Sequence, residues 1–165
     1  GSDEDDELER LLREYHRVLR EYEKLLEELR RLYEEYKRGE VSEEESDRIL
    51  REIKEILDKS ERLWDLSEEV WRTLLYQAEG SEGSGSEGSD EKDYHRRLIE
   101  HLEDLVRRHE ELIKRQKKVV EELERRGLDE RLRRVVDRFR RSSERWEEVI
   151  ERFRQVVDKL RKSVE

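Results

Sequence analysis

Apolar residues recur at every seventh position through four long segments of the chain. In the first segment three such rows run side by side. Row a holds Leu8, Tyr15, Tyr22, Leu29 and Tyr36, row d holds Leu11, Val18, Leu25 and Leu32, and row e holds Leu12, Leu19, Leu26 and Tyr33. Three apolar positions in seven form a stripe along one face of an α-helix, wider than the seam of a two-stranded coiled coil. A seven-residue repeat kept this strictly predicts a left-handed supercoil.

The same three rows return in the other segments, which predicts helices over about 3–37, 43–78, 90–126 and 130–163. Gly39 and Gly127 are predicted to end the first and third helices, because glycine takes the left-handed cap conformation at little cost. Ser42–Glu45 has the pattern of a capping box, and Asp129 is the predicted N-cap of the fourth helix. Helices of equal length joined by tight turns predict an all-α, antiparallel, left-handed four-helix bundle made of two helical hairpins.

The segment 79–89 contains only glycine, serine and glutamate, the composition of a flexible linker. It separates hairpin 1 (1–78) from hairpin 2 (90–165). Eleven extended residues reach at most ~38 Å, whereas a helix of ~34 residues is ~50 Å long. If the hairpins pack within one chain, both turns must therefore lie at the end of the bundle opposite the linker. Pairing between two chains by a domain swap is the alternative.

Several positions in the apolar rows are polar, or carry a hydroxyl. The candidates for a buried network among them are Tyr15, Tyr22 and Tyr36 in the first helix, Ser46, Ser60 and Ser67 in the second, His109 and Gln116 in the third, and Ser142 and Ser143 in the fourth. Residues that face each other across a hairpin share one index sum. In hairpin 1 the sum of 82 places each of these tyrosines opposite one of the serines. A large ring opposite a small hydroxyl fills the layer, and the phenol can reach a hydrogen-bond partner.

These positions predict a buried hydrogen-bond network that spans both hairpins. Tyr22, Ser60 and His109 lie at nearly the same depth when measured from the turns, and Gln116, Ser142 and Ser143 are further candidate members. This assignment supposes that the two hairpins have equal axial offsets. An unpaired buried polar group costs about 1–3 kcal/mol, so such a network would penalise a wrong register or partner. In the alternative interpretation the serines only fill space and the tyrosine hydroxyls face water.

Composition argues against several other functions. The chain has no cysteine, and its 52% charged residues leave no apolar run near the ~18 residues of a membrane span. The histidines at 16, 95, 101 and 109 lack the Glu-x-x-His and His-x-x-x-His patterns of bundle metal sites. The arginines alternate with acids at helical spacing, which is typical of solvated ion pairs. We expect no metal, cofactor, nucleic acid, membrane or small-molecule partner, and no catalysis, because straight helices with tight turns form no catalytic cleft.

Net charge is divided unequally between the hairpins. Residues 1–78 carry 25 acidic and 15 basic residues, a net of −10, and residues 90–165 carry 20 acidic and 23 basic residues, a net of +3. We expect hairpin 1 to repel copies of itself and to attract hairpin 2.

The equal helices, the glycine caps, the capping box at Ser42–Glu45, the polar residues confined to a few layers and the regular linker resemble de novo designed helical heterodimers with buried hydrogen-bond networks. The resemblance covers the whole chain, here joined into one polypeptide. It implies a soluble synthetic protein suited to cytoplasmic recombinant expression. Each hairpin would be one partner, and the function would be selective association without natural biochemical activity. A designed bundle that binds a small molecule or metal in its core is the alternative; such a core needs a void, which Tyr22 and Trp146 are predicted to fill.

Overall fold

The computed structural model describes residues 2–36, 41–82 and 88–165. These residues form four long helices: α1 (Ser2–Glu35), α2 (Glu43–Glu82), α3 (Ser89–Glu124) and α4 (Glu130–Val164). The predicted all-α four-helix bundle is confirmed. Within the described ranges, no helix is both long enough and apolar enough to cross a membrane.

The helix ends follow local capping chemistry. The Ser42 hydroxyl accepts a hydrogen bond from the Glu45 backbone N–H at 3.2 Å, and the Asp129 carboxylate accepts one from the Leu132 N–H at 2.8 Å. Each side chain thereby satisfies a backbone donor that has no partner within the helix. Gly39, the predicted stop of α1, lies outside the described residues.

The observed α2 is longer than the helix predicted from the sequence. It continues to Glu82, so the first four residues of the predicted linker are helical, and residues 83–87 lie outside the described part of the chain. Extension of an existing helix adds one hydrogen bond for each residue fixed, whereas starting a helix is costly. Helical structure can therefore run past the last apolar position of the repeat.

Helix order around the bundle is α1, α2, α4, α3. Both α1 and α4 pack against α2 and α3, so α1 lies diagonally opposite α4, and α2 lies diagonally opposite α3. The predicted antiparallel arrangement holds within each hairpin. Across the hairpins the neighbouring helices run parallel, because their contacts keep nearly constant sequence separations. The Tyr15–His109 and Tyr22–Gln116 contacts are both 94 residues apart, and two contacts between α2 and α4 are 83 and 84 residues apart.

One continuous apolar core fills the space between the four helices, and most members of the three rows are buried in it. The backbones of α1 and α3 are in close contact over a shorter length than those of the other neighbouring pairs of helices. We attribute this spacing to the large polar side chains of Tyr15, Tyr22, His109 and Gln116, which meet between these two helices. The α1–α3 contact therefore holds the buried tyrosine hydrogen bonds between the hairpins.

Candidate functional site at the interface between the hairpins

The first buried hydrogen bond between the hairpins joins Tyr15 of α1 to His109 of α3. The Tyr15 hydroxyl lies 2.6 Å from His109 Nε2, and His109 Nδ1 lies 2.5 Å from the Leu105 backbone oxygen in its own helix. A carbonyl can only accept, so the imidazole proton is on Nδ1 and Nε2 accepts from Tyr15. Both side chains are almost completely buried, and burial lowers the pKa of His109 to about 4. The interface thus holds a neutral imidazole in one tautomer.

The second buried connection runs from Tyr22 of α1 through Gln116 of α3 to α4. The Tyr22 hydroxyl donates to Gln116 Oε1. The Gln116 Nε2 group donates to the Phe139 backbone oxygen and to the Ser142 hydroxyl, both at 2.7 Å, and Ser142 donates to the same Phe139 oxygen at 2.6 Å. All polar atoms of the Gln116 side chain are therefore paired, although the residue has no solvent exposure.

Aromatic rings of α4 enclose both connections. The Phe153 ring centroid lies 5.9 Å from that of Tyr15, and the Trp146 centroid lies 5.4 Å from that of His109 and 5.7 Å from that of Tyr22. Offset and edge-on contacts of this kind are favourable and keep water away from the hydrogen bonds. The Trp146 indole N–H itself has no hydrogen-bond partner among the residues that the structure describes.

Ion pairs flank the same interface. The Arg108 guanidinium of α3 pairs with Glu23 of α1 at 2.8 Å and donates to His16 Nδ1 at 2.9 Å. At the end of the bundle that holds the turns, the Ser46 hydroxyl of α2 donates to the Asp129 carboxylate at 2.8 Å, so the N-cap of α4 is also a contact between the hairpins.

No protein-family model matches the chain, and no curated protein matches it. A solved structure named DHD131 is 94% identical to this chain over 45% of its length, which covers 97% of the DHD131 chain, with a TM-score of 0.41. DHD131 is a designed heterodimer. This chain belongs to the designed helical heterodimers.

Among the residues that the structure describes, the predicted tyrosine–serine pairs do not hydrogen-bond to each other. The Ser67 hydroxyl donates to the Trp64 backbone oxygen, and the Tyr36 hydroxyl accepts from Arg48. Ser60 is buried, and the Tyr22 hydroxyl predicted to face it donates to Gln116 instead. A serine inside a helix can satisfy its hydroxyl on a carbonyl of the preceding turn, so it does not need the phenol that faces it.

The predicted layers of the network are displaced by one heptad. The sequence placed Tyr22 level with His109, 87 residues apart, whereas the observed partners of Tyr15 and Tyr22 are both 94 residues away. Gln116 and Ser142 join the Tyr22 layer, while the Ser143 hydroxyl donates to the Arg140 backbone oxygen in its own helix. A slip of seven residues keeps the same apolar rows face to face, so the repeat alone does not determine the layer.

A further polar pair was missed by the sequence analysis. His95 Nδ1 lies 2.9 Å from the Ser163 hydroxyl, and Ser163 donates its proton to the Leu160 backbone oxygen at 2.7 Å. The His95 Nδ1 group is therefore the donor to Ser163. Both residues are polar and lie at positions of the apolar rows of hairpin 2. This feature of the sequence could have identified them as a buried pair. Within the described residues, no group of three or more acidic or histidine side chains is placed to hold a metal ion.

Proposed function

We propose that the two hairpins are partners that associate selectively, and that the buried hydrogen bonds between α1 and α3 select the partner. The observation that carries this proposal is the location of the acceptors. The buried hydroxyls of Tyr15 and Tyr22 belong to hairpin 1, and their acceptors on His109 and Gln116 belong to hairpin 2. Each tyrosine hydroxyl is thus paired only through the other hairpin.

A wrong partner would leave these atoms buried without hydrogen bonds. Each unpaired buried polar group costs about 1–3 kcal/mol, whereas a correct hydrogen bond adds a smaller net stabilisation. Both bonds share one sequence offset, so a slip of one heptad breaks both native pairs. One tyrosine can then meet the other polar residue of α3, but the second tyrosine is left opposite Leu102 or Leu123. The polar contacts therefore discriminate between partners and registers more than they add to affinity.

Charge supports the same proposal. Hairpin 1 carries a net charge of −10 and hairpin 2 a net charge of +3. The Arg108–Glu23 and Arg115–Glu27 pairs between α3 and α1 follow this polarity. Two copies of hairpin 1 repel each other, and the correct encounter is favoured.

The alternative of a core that binds a small molecule gains no support from the packing around the network. The rings of Trp146, Phe139 and Phe153 are each at most 2% exposed, and they occupy the layers next to Tyr15, Tyr22 and Gln116.

Native mass spectrometry of separately produced hairpins tests the association. We expect residues 1–78 and 90–165 to form a one-to-one helical complex, and we expect hairpin 1 to self-associate less than hairpin 2. If no such complex forms, the hairpins are not partners.

Removal of the network tests the selection of the partner. The variant replaces Tyr15 and Tyr22 with phenylalanine, and His109 and Gln116 with leucine. We expect these hairpins to bind with similar or greater affinity, because the desolvation cost disappears with the polar groups. In a mixture they should also pair with themselves and with foreign hairpins. Ser143→Ala is the matched control, because its hydroxyl bonds only within α4. Unchanged partner choice in the apolar variant would show that the hydrogen bonds do not select the partner.

A further inference from the structure

The edge between α2 and α4 carries alternating tryptophan and arginine side chains. The Arg145 guanidinium carbon lies 4.4 Å from the centroid of the Trp64 ring. The Arg152 carbon lies 4.8 Å from the Trp64 centroid and 5.2 Å from the Trp71 centroid, so this guanidinium is close to two indoles. A cation over an aromatic face within about 6 Å is attracted by the negative face of the ring.

A hydrogen bond to Glu148 and the nearby charge of Glu68 hold Arg152 in place. Its guanidinium pairs with Glu148 of α4 at 3.0 Å and lies 3.9 Å from Glu68 of α2. Its side chain is only 22% exposed. Partial desolvation strengthens a cation–π contact, and a planar guanidinium held by carboxylates loses little further freedom when it stacks.

The row of α4 that meets α2 is entirely basic. It consists of Arg131, Arg138, Arg145, Arg152 and Lys159, spaced seven residues apart. Arg131 pairs with Asp47 of α2, so the contact continues to the turns. The equivalent apolar row of α1 contains leucines and one tyrosine, and the three tryptophans of the chain are at 64, 71 and 146. Only α2 can offer indole faces to this basic row.

The apolar core by itself permits a second docking direction. If hairpin 2 turned end over end, α4 would lie against α1 and α3 against α2, with neighbouring helices again parallel and apolar rows again facing. Hydrophobic burial is non-directional and distinguishes the two directions poorly. The reversed complex would place the basic row of α4 on the leucines of α1, and its two turns would lie at opposite ends. It would also move α3 away from Tyr15 and Tyr22.

We propose that Trp64 and Trp71 of α2, together with Arg145 and Arg152 of α4, form a second specificity element that sets the docking direction of hairpin 2. They hold α4 against α2 and keep both turns at the same end of the bundle. This proposal rests on association of the hairpins as the function, but not on the buried hydrogen bonds as its selector.

A distance measurement on the complex without its tether tests the direction. The chain has no cysteine, so Glu44→Cys and Glu130→Cys can carry two spin labels at exposed sites near the two turns. A protease site inserted within residues 83–87 allows cleavage of the folded protein. The complex is then unfolded in guanidinium, refolded and examined by pulsed electron paramagnetic resonance. Aligned docking gives one short distance, whereas reversed docking separates the labels by about a helix length, ~50 Å.

We expect the parent complex to show only the short distance. The buried hydrogen bonds also oppose reversal, so the test uses the background Tyr15→Phe, Tyr22→Phe, His109→Leu and Gln116→Leu, which with both tryptophans should still show only the short distance. Adding Trp64→Leu and Trp71→Leu to this background should give an added population near the long distance; leucine already occupies positions 50 and 57 of the same row. A single short distance in this variant would overturn the proposal. Separation of the parent hairpins after cleavage would overturn the proposed association itself, and with it this inference.

A double-mutant cycle on the uncleaved chain gives an independent test. Arg152→Gln is expected to lower the equilibrium constant for folding about fivefold in the parent, and less than about twofold when Trp64 and Trp71 are leucine. Arg138→Gln, from the same basic row, is the control, and its effect should be less than about twofold in both backgrounds. Equal effects of Arg152→Gln in both backgrounds would mean that the guanidinium does not couple to the indoles, which overturns the proposal.

Discussion

Acidification is expected to weaken the bundle through His109. Its imidazole is 1% exposed and donates from Nδ1 to the Leu105 oxygen, while Nε2 accepts from the Tyr15 hydroxyl. A second proton would have to enter at Nε2, beside the rings of Trp146 and Phe153. Burial disfavours the charged imidazolium, and the Arg108 charge acts in the same direction, so the pKa of His109 falls from 6.5 to about 4.

The sign and size of the effect follow from the two pKa values. Between pH 6.5 and about pH 4 the unfolded chain binds more protons at this position than the folded bundle does. The contribution of His109 to stability is therefore full above pH 6.5 and is lost as the pH falls. It amounts to a loss of about 2 kcal/mol at pH 5 and about 3 kcal/mol at pH 4, with little further change below. Burial and Arg108 also lower the pKa of His16, which acts with the same sign.

Urea unfolding followed by circular dichroism between about pH 8 and pH 4 measures this loss. His109→Gln is the matched variant, because glutamine does not titrate and can still accept from Tyr15. The carboxylate titrations are common to both proteins and cancel when their stabilities are subtracted. The difference in free energy of unfolding should change by about 3 kcal/mol across the range. If the free energies of unfolding of the parent and of His109→Gln change in parallel with pH, His109 has the same pKa in the folded and the unfolded protein. That result would refute the buried neutral imidazole.

Three further outcomes are expected. Tyr22→Phe should lower the free energy of unfolding by about 1–3 kcal/mol in urea titrations, because Gln116 Oε1 loses its buried donor; an unchanged midpoint would contradict this. Ser46→Ala should lower the melting temperature more than Ser67→Ala, since Ser46 donates to Asp129 across the hairpins and Ser67 donates within α2; equal shifts would count against it. Calorimetry with zinc should show no site tighter than about micromolar, a binding free energy of roughly −8 kcal/mol; tight binding at His16 and His101, whose ring centroids lie 6.3 Å apart, would show otherwise.

The four helices could be predicted because their causes are local. The seven-residue repeat fixes which face of each helix is buried, and Ser42 and Asp129 fix where α2 and α4 begin. The bundle follows, since four amphipathic helices with short turns have few other ways to bury their stripes. Most of the polar row positions are also buried as expected, including Gln116 and His109.

The hydrogen-bond partners could not be predicted because they depend on the axial offset between the hairpins. Index sums relate residues within one hairpin, where the turn fixes the register. No turn joins α1 to α3. A change of seven residues in the axial offset again places the same apolar rows face to face. Two candidate layers were therefore equivalent for Tyr22, and the observed one pairs it with Gln116 instead of His109. The serines added a second ambiguity, since Ser67 and Ser143 satisfy their hydroxyls within their own helices.

The apolar rows of a repeating interface permit two wrong arrangements, a shift by one heptad and a reversal of one hairpin, and the polar elements oppose both. Translation by one heptad preserves the apolar rows, but it breaks both native pairs and leaves Tyr15 or Tyr22 opposite a leucine. Reversal of a hairpin also preserves the apolar rows, but it removes Arg152 from Trp71. Because it moves α3 away from α1, it breaks the buried hydrogen bonds as well. The hydrogen bonds lie between α1 and α3, and the stacked arginines lie between α2 and α4, so neither element shares a residue with the other. Hydrophobic burial can then supply affinity without having to encode register or direction.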